Sequence, residues 1–219
     1  MKLIAATATV GAWVDASVPL STKVIGALKK AGKVGVCRYV PLPNNRAGAD
    51  IASDELEAIC GAGLDLLLVQ HVRAAAPGST GWDPGAHDGG EDAEAAAVWA
   101  CKVGYPVGAH LFLDLEDIAG TAAATITFAS AWAAHICARG YAAGDYWGFR
   151  VPLGAEAAFD LPDFSIAWSD FGTRHIATRG FAIVQQAPEV VIAGTSFDRD
   201  VVAPDLLGNL PMVCRMGDP

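Results

Sequence analysis

The 219-residue sequence is poor in charge, at 18% of residues, and basic residues are outnumbered by acidic ones, 15 to 24, for a formal net charge of −9. Nucleic acids and anionic membrane surfaces need a basic face, so neither is an expected partner. No apolar run is long enough to span a bilayer, which argues against membrane insertion. The five cysteines, Cys37, Cys60, Cys101, Cys137 and Cys214, are scattered, and no Cys-x-x-Cys pair or Cys/His cluster has zinc-like spacing. No metal or other cofactor is therefore expected. An odd number of cysteines in apolar contexts reads as free, buried thiols and a reducing compartment during folding. Gly-x-Ser-x-Gly and P-loop patterns are also missing, which leaves a hydrolase of another ester or amide without a visible nucleophile.

What is present is a core-rich chain, 53% hydrophobic with 24 glycines, most simply one domain over residues 1–219. The first residues, Met1 to Ala12, faintly resemble a short signal peptide, but the apolar part runs straight into a core strand. Strands are expected at Val10–Asp15, Val34–Val40, Asp65–His71, Val107–Asp117, Ala142–Trp147, Phe164–Trp168, Phe181–Gln186 and Val190–Asp198. Helices are expected at Leu20–Ala31, from Ser53 to about Gly61, at Glu91–Val103 and at Thr121–Arg139. The connectors at Val151–Phe159 and Phe171–Thr178 are poorly helical, and the tail after Val202 reads as a surface wrap. Alternating βα units of this kind predict an α/β fold, a small (β/α)8 TIM-like barrel with some reduced helices; an open doubly wound sheet is the alternative.

The most informative stretch is Val107–Asp117. Asp114 and Glu116 are two apart at the end of a buried strand, hence on one face, with Leu113 and Leu115 on the other. Buried carboxylates are costly unless paired or put to use. Other strand ends carry Asp15, Arg38, Tyr39, Gln70, His71, Tyr146, Trp147, Trp168, Asp170, Gln185, Gln186 and Asp198. In a barrel these converge on one rim as an acidic pocket walled by aromatic rings. Carboxylates supply acid/base chemistry and flat rings stack on sugars, a combination suited to glycoside hydrolysis. Tyr39, Arg38, His71, Trp147, Trp168 and Gln186 are the expected substrate-binding residues. His110 reads as a satisfied interior histidine, Trp13, Trp99 and Trp132 as core, and Trp82 as lining the long loop Arg73–Gly90.

The ordered set Gly11/Asp15/Ser17, Phe-Leu-Asp-Leu-Glu-Asp at 112–117, Ile-Ala-Trp-Ser-Asp at 166–170, Val-Gln-Gln at 184–186 and Phe-Asp-Arg-Asp at 197–200 resembles the glycoside-hydrolase-like barrels related to Rv2525c, the DUF1906 type. More distantly it is similar to family 25 lysozymes, which are peptidoglycan muramidases. The resemblance implies Glu116 as general acid, with Asp15, Asp114 and Asp198 as surrounding carboxylates. Crowded anions would raise the pKa of Glu116, while Asp114 would stay ionised to orient a water or assist the substrate N-acetyl group. The implied substrate is peptidoglycan or a related N-acetylated polysaccharide, acted on by a monomer. The setting is a phage endolysin made in the cytoplasm and released through a holin, or a secreted protein. A non-catalytic wall-binding barrel that keeps the acidic pocket is the alternative.

Overall fold

The computed structural model describes residues 2–43, 49–75, 77–170 and 176–217. Parts of the expected Pro41–Asp50 loop and Phe171–Thr178 connector lie outside these described residues. The elements run β1 (Leu3–Thr7), β2 (Gly11–Ala16), α1 (Thr22–Lys30), β3 (Gly35–Val40), α2 (Ser53–Gly61), β4 (Asp65–Gln70), α3 (Gly89–Val103), β5 (His110–Leu115), α4 (Ala122–Ala138), β6 (Ala142–Trp147), α5 (Ala155–Phe159), β7 (Phe164–Ser169), β8 (Ile183–Ile192), β9 (Thr195–Val202) and β10 (Met212–Met216). Local chemistry sets the helix starts. Ser21, Asp88 and Thr121 each accept hydrogen bonds from first-turn backbone N–H groups.

Strands β2 to β9 close into an eight-stranded barrel, with β4 pairing β5 and β9 pairing β2. Neighbours from β2 round to β8 are parallel, whereas β9 runs antiparallel to both β8 and β2. The expected eighth parallel unit is thus corrected to a hairpin. Ala193 and Gly194, both at positive φ, form its two-residue turn and leave no room for a helix. The expectation broke the hairpin at Ala187-Pro188. The ladder instead absorbs this point as an irregularity between Gln186 and Val190 and continues to Ile192.

Strand alternation divides the apolar residues into two clusters. Trp13, Cys37, Leu67, Val69, Phe112, Ile166, Trp168, Ile183 and Val202 fill the barrel. Val14, Val36, Leu66, Leu68, Leu111, Leu113 and Leu115 face outward and pack under α1–α4, against Leu28, Leu56, Ala96, Ala100 and Trp132. The N-terminal stretch and the tail also form structure that was not expected. β1 and β10 make an antiparallel ladder that meets the barrel at Cys214 opposite Leu66, and Arg215 grips Asp65 at 2.7 and 2.6 Å. This ladder sits at the start of β4, the end of the barrel away from Glu116. Of the cysteines, Cys37, Cys60 and Cys214 are buried, but Cys101 and Cys137 are exposed on α3 and α4, because both fall on solvent-facing positions of Ala-rich helices.

Candidate active site

Along β5 the parity is as expected: Phe112 points into the barrel, Leu111, Leu113 and Leu115 point outward, and Asp114 and Glu116 share the inner face. Asp114 is buried, and its Oδ1 has no hydrogen-bond partner. Burial first, then the charges of Glu116 and Asp15, hold its carboxyl well above the ordinary carboxylate range. This runs against the expectation of an ionised Asp114, since its loss of solvent favours the neutral form. Glu116, one step nearer the mouth, is half-buried. Its proton affinity is raised by burial, then by Asp170 and Asp198.

The facing wall supplies the partners. Asp15 on β2 accepts hydrogen bonds from the Tyr39 hydroxyl (3.4 Å) and Gln185 Nε2 (3.3 Å), and Gln185 Oε1 accepts from the Tyr146 hydroxyl at 3.1 Å. Burial, with Asp198 second, pushes Asp15 up to about 7. Asp15 and Asp198 are directly paired across β2 and β9. Because β9 is reversed, its first half, not its last, reaches the mouth. Two residues deeper, Asp200 is buried, accepts a hydrogen bond from Trp168 Nε1 at 3.0 Å and shares a proton-mediated contact with Asp15. Burial first, and Asp15 second, raise its proton affinity strongly.

The barrel thus brings Asp15, Asp114, Glu116 and Asp198 into one electrostatic group, joined by Asp170 and Asp200. Among the described residues, no arginine or lysine forms an ion pair with Asp15, Asp114, Glu116, Asp198 or Asp200. Nor does any group of three or more His, Cys, Asp or Glu have an arrangement suited to a metal ion.

The substrate-binding expectations divide. Tyr39 lies in the site, and His71 stacks on it with ring centroids 4.7 Å apart and Nε2 3.1 Å from Asp50 Oδ1. Burial lowers the His71 pKa to about 4, so its ring is neutral at physiological pH. Arg38 has the opposite parity. It is fully buried outside the barrel wall, where Nε donates to Glu55 Oε1 at 2.6 Å and Nη2 to the Ala49 carbonyl at 2.8 Å. Trp147 also faces outward, into an apolar groove of about 280 Å3 with Leu153, Ala158, Ile176 and Phe181. Trp168 faces inward but is buried, edge-on to Tyr146 and Phe112, and serves Asp200 instead of offering a face to sugar. Gln186 is exposed on the outer side, and Gln185 is the glutamine of the site.

Two signals could have found the missed residues. Ile183 is an obvious inward residue, and a period of two from it selects Gln185. Asp198 and Asp200 repeat the i, i+2 spacing of Asp114 and Glu116. Arg199, between them, points the other way, and its Nη2 donates to the Ala187 carbonyl at 2.7 Å.

Glu116 is held by two neighbouring loops. Trp82 Nε1 donates to its carbonyl at 2.7 Å, while Trp82 backbone bonds tie down Asp117 (3.0 Å) and Ala119 (2.8 Å). On the other side is Gly148, where an added Cβ would lie 2.3 Å from Glu116 Cβ and 2.4 Å from its Oε2. Only a residue without a side chain lets the carboxyl rest there.

Comparison with known proteins agrees with this architecture. The Rv2525c-like, glycoside hydrolase-like domain family matches residues 26–201. The chain belongs to that family. Similar solved structures include the Mycobacterium tuberculosis Tat-secreted protein Rv2525c, at 17% identity and TM-score 0.67, covering 92% of this chain and 99% of that one. A bacterial lysozyme from Streptomyces coelicolor is similar at 13% identity and TM-score 0.59, over 89% and 92% of the two chains. The modular autolysin LytC from Streptococcus pneumoniae aligns at 10% identity and TM-score 0.58, over 87% of this chain and 46% of LytC. Identities this low establish the shared barrel and no more. No curated protein matches the sequence.

Proposed function

We propose that this member of the Rv2525c-like family is a peptidoglycan-directed glycoside hydrolase, lysozyme-like in its chemistry. The observation that carries the reading is Glu116 itself. It is a half-buried carboxyl at the barrel mouth whose proton affinity is raised by burial and by Asp170 and Asp198, and among the described residues no arginine or lysine forms an ion pair with it. A general acid must hold its proton near the operating pH to deliver it to the leaving glycosidic oxygen. Asp198, and Asp15 once pH rises past its raised pKa of about 7, supply the negative charge that favours an oxocarbenium-like transition state. Asp114, buried and protonated, acts as a hydrogen-bond donor to the substrate, in place of the ionised role first expected of it. The lysozyme and autolysin among the similar structures support a cell-wall polysaccharide as the substrate class.

The site of action is the cell wall, reached by secretion as with the Tat-secreted Rv2525c; release through a holin is the route in a phage setting. No helix of the described residues is long and apolar enough to cross a membrane. All proposed site residues come from one barrel, so a monomer suffices. Incubated with purified peptidoglycan, the protein releases reducing sugar ends, and Glu116→Gln abolishes this without changing the thermal melt. Binding to walls with no new ends would replace the enzyme with a carbohydrate-recognition barrel. New amino groups in place of reducing ends would indicate an amidase.

A further inference from the structure

The aromatic platform expected at the mouth is not supplied by Trp147 or Trp168, since both are buried. Phe149, two residues past the end of β6, is the candidate instead. It is the one aromatic among the exposed large hydrophobic residues described, with half its surface in solvent. Its place relative to Glu116 is set by backbone bonds that continue the β5–β6 ladder beyond both strands. Gly148 N–H donates to the Leu115 carbonyl at 3.1 Å, and Asp117 N–H donates to the Phe149 carbonyl at 2.8 Å. Gly148, one residue before Phe149, is in contact with the Glu116 side chain.

Beside the ring stands Arg150, its guanidinium carbon 5.1 Å from the Phe149 centroid and its Nη2 on Asp117 Oδ1. Asp117 and Arg150 both hold positive φ, at 54° and 57°. Non-glycine residues pay for that conformation, and paired outliers beside a site mark a rim held in a set shape. Arg150 is half-exposed, so its bond to Asp117 is a solvent-screened pair that an incoming anion can replace at little loss. It is also a cation beside a cluster otherwise built of acids.

We propose that Phe149 and Arg150 form a glycan subsite for a pyranose ring with a pendant carboxylate: the apolar sugar face stacks on Phe149 and the carboxylate engages Arg150. The carboxylate comes from a lactyl ether on the ring or from a stem peptide, chemistries that present the same group to Arg150. This subsite rests on the glycoside-hydrolase reading and sharpens it, because it selects acidic wall glycans over neutral chitin-like ones that Glu116 could equally cleave. Stacking contributes to both ligand classes, whereas the guanidinium contributes only to the acidic one.

The test uses full-length Glu116→Gln protein, which binds without turnover. Calorimetry is run with a neutral N-acetylglucosamine oligosaccharide and with peptidoglycan oligosaccharides of equal length, one set with free lactyl groups and one with stem peptides. An acidic set binds roughly tenfold more tightly than the neutral one, the scale of one charge-assisted hydrogen bond. Whichever acidic set shows the gain identifies the source of the carboxylate. Adding Arg150→Gln brings acidic and neutral affinities together, and adding Phe149→Ala weakens all sets. An affinity ratio that Arg150→Gln leaves unchanged, or no preference at the outset, overturns the subsite while the enzyme reading stands. Absence of binding to every glycan overturns both. Thermal melts confirm that these two exposed substitutions leave the fold intact.

Discussion

The acids outside the barrel wall and the acids inside it are treated in opposite ways. Outside, Glu55 holds Arg38 and Asp92 holds Arg73, and at the far end of the barrel Asp65 holds Arg215, each a buried carboxylate on a guanidinium. Inside, among the described residues, Asp15 and Asp200 accept from tyrosine, glutamine and tryptophan, Asp114 Oδ1 has no partner, and none of the three forms an ion pair with an arginine or lysine. The first arrangement compensates for lost solvent with a guanidinium partner, whereas in the second burial without such a partner raises proton affinity. Asp145 shows that pairing, more than side, decides. It faces outward on β6 but is fully enclosed with only the Arg179 charge nearby, and burial pushes it to about 7. Among the described residues, guanidinium partners are supplied to acids elsewhere and not to Glu116, whose proton affinity burial and its acidic neighbours raise.

The largest effect expected is on the outer wall. Glu55→Ala leaves Arg38 charged and enclosed, and should cost about 3–5 kcal/mol in urea unfolding. A loss below about 1 kcal/mol would show that the outer pairing is incidental. Asp15 inside the barrel and Asp145 outside it, both raised by burial, should respond with the opposite sign. Their folded pKa values lie above the free value of 3.8, so their stabilising protonation is complete below about 4 and is lost as pH rises through about 7. The protein should therefore lose stability between pH 4 and pH 8. Asp145→Asn should recover roughly 2–4 kcal/mol of it at pH 8, whereas Asp92→Asn should destabilise. Unfolding midpoints measured across that range settle the sign.

A smaller change follows from the support of Glu116. Trp82→Phe removes the donor to the Glu116 carbonyl and should lower kcat roughly tenfold with little change in KM, at about 1 kcal/mol of stability. A change in KM alone would move Trp82 from positioning to binding. Smallest is the glutamine pair. Gln185→Leu should impair turnover by unseating Asp15 and Tyr146, while Gln186→Leu should leave turnover at its original level. Equal effects would undo the inward assignment of Gln185.

Much of this was legible before the coordinates. The alternation on β5 already put Asp114 and Glu116 on one face, and helices were expected from Leu20, Ser53, Glu91 and Thr121, where α1 to α4 lie. Parity was the tool that worked, and where it was not applied the reading slipped. Arg38 next to Tyr39, Trp147 next to Tyr146 and Gln186 next to Gln185 were taken together as rim residues. A strand presents only one of each adjacent pair to the barrel. The reversed β9 was hidden because Pro188 looks like a strand end, whereas a hairpin tolerates it. The β1–β10 ladder depends on partners more than two hundred residues apart, and no local pattern encodes that. Side-chain burial raises the proton affinity of Asp114, and burial is a property of the assembled barrel.

The most direct test of the account is the titration of the Glu116 side-chain carboxyl, followed by carbon NMR in the intact protein with Glu116→Gln as the assignment control. The account predicts a midpoint above that of a free glutamate, moving down when Asp198→Asn or Asp170→Asn removes a neighbouring charge. A midpoint at or below the free value, unmoved by either substitution, would mean that the cluster does not keep a proton on Glu116.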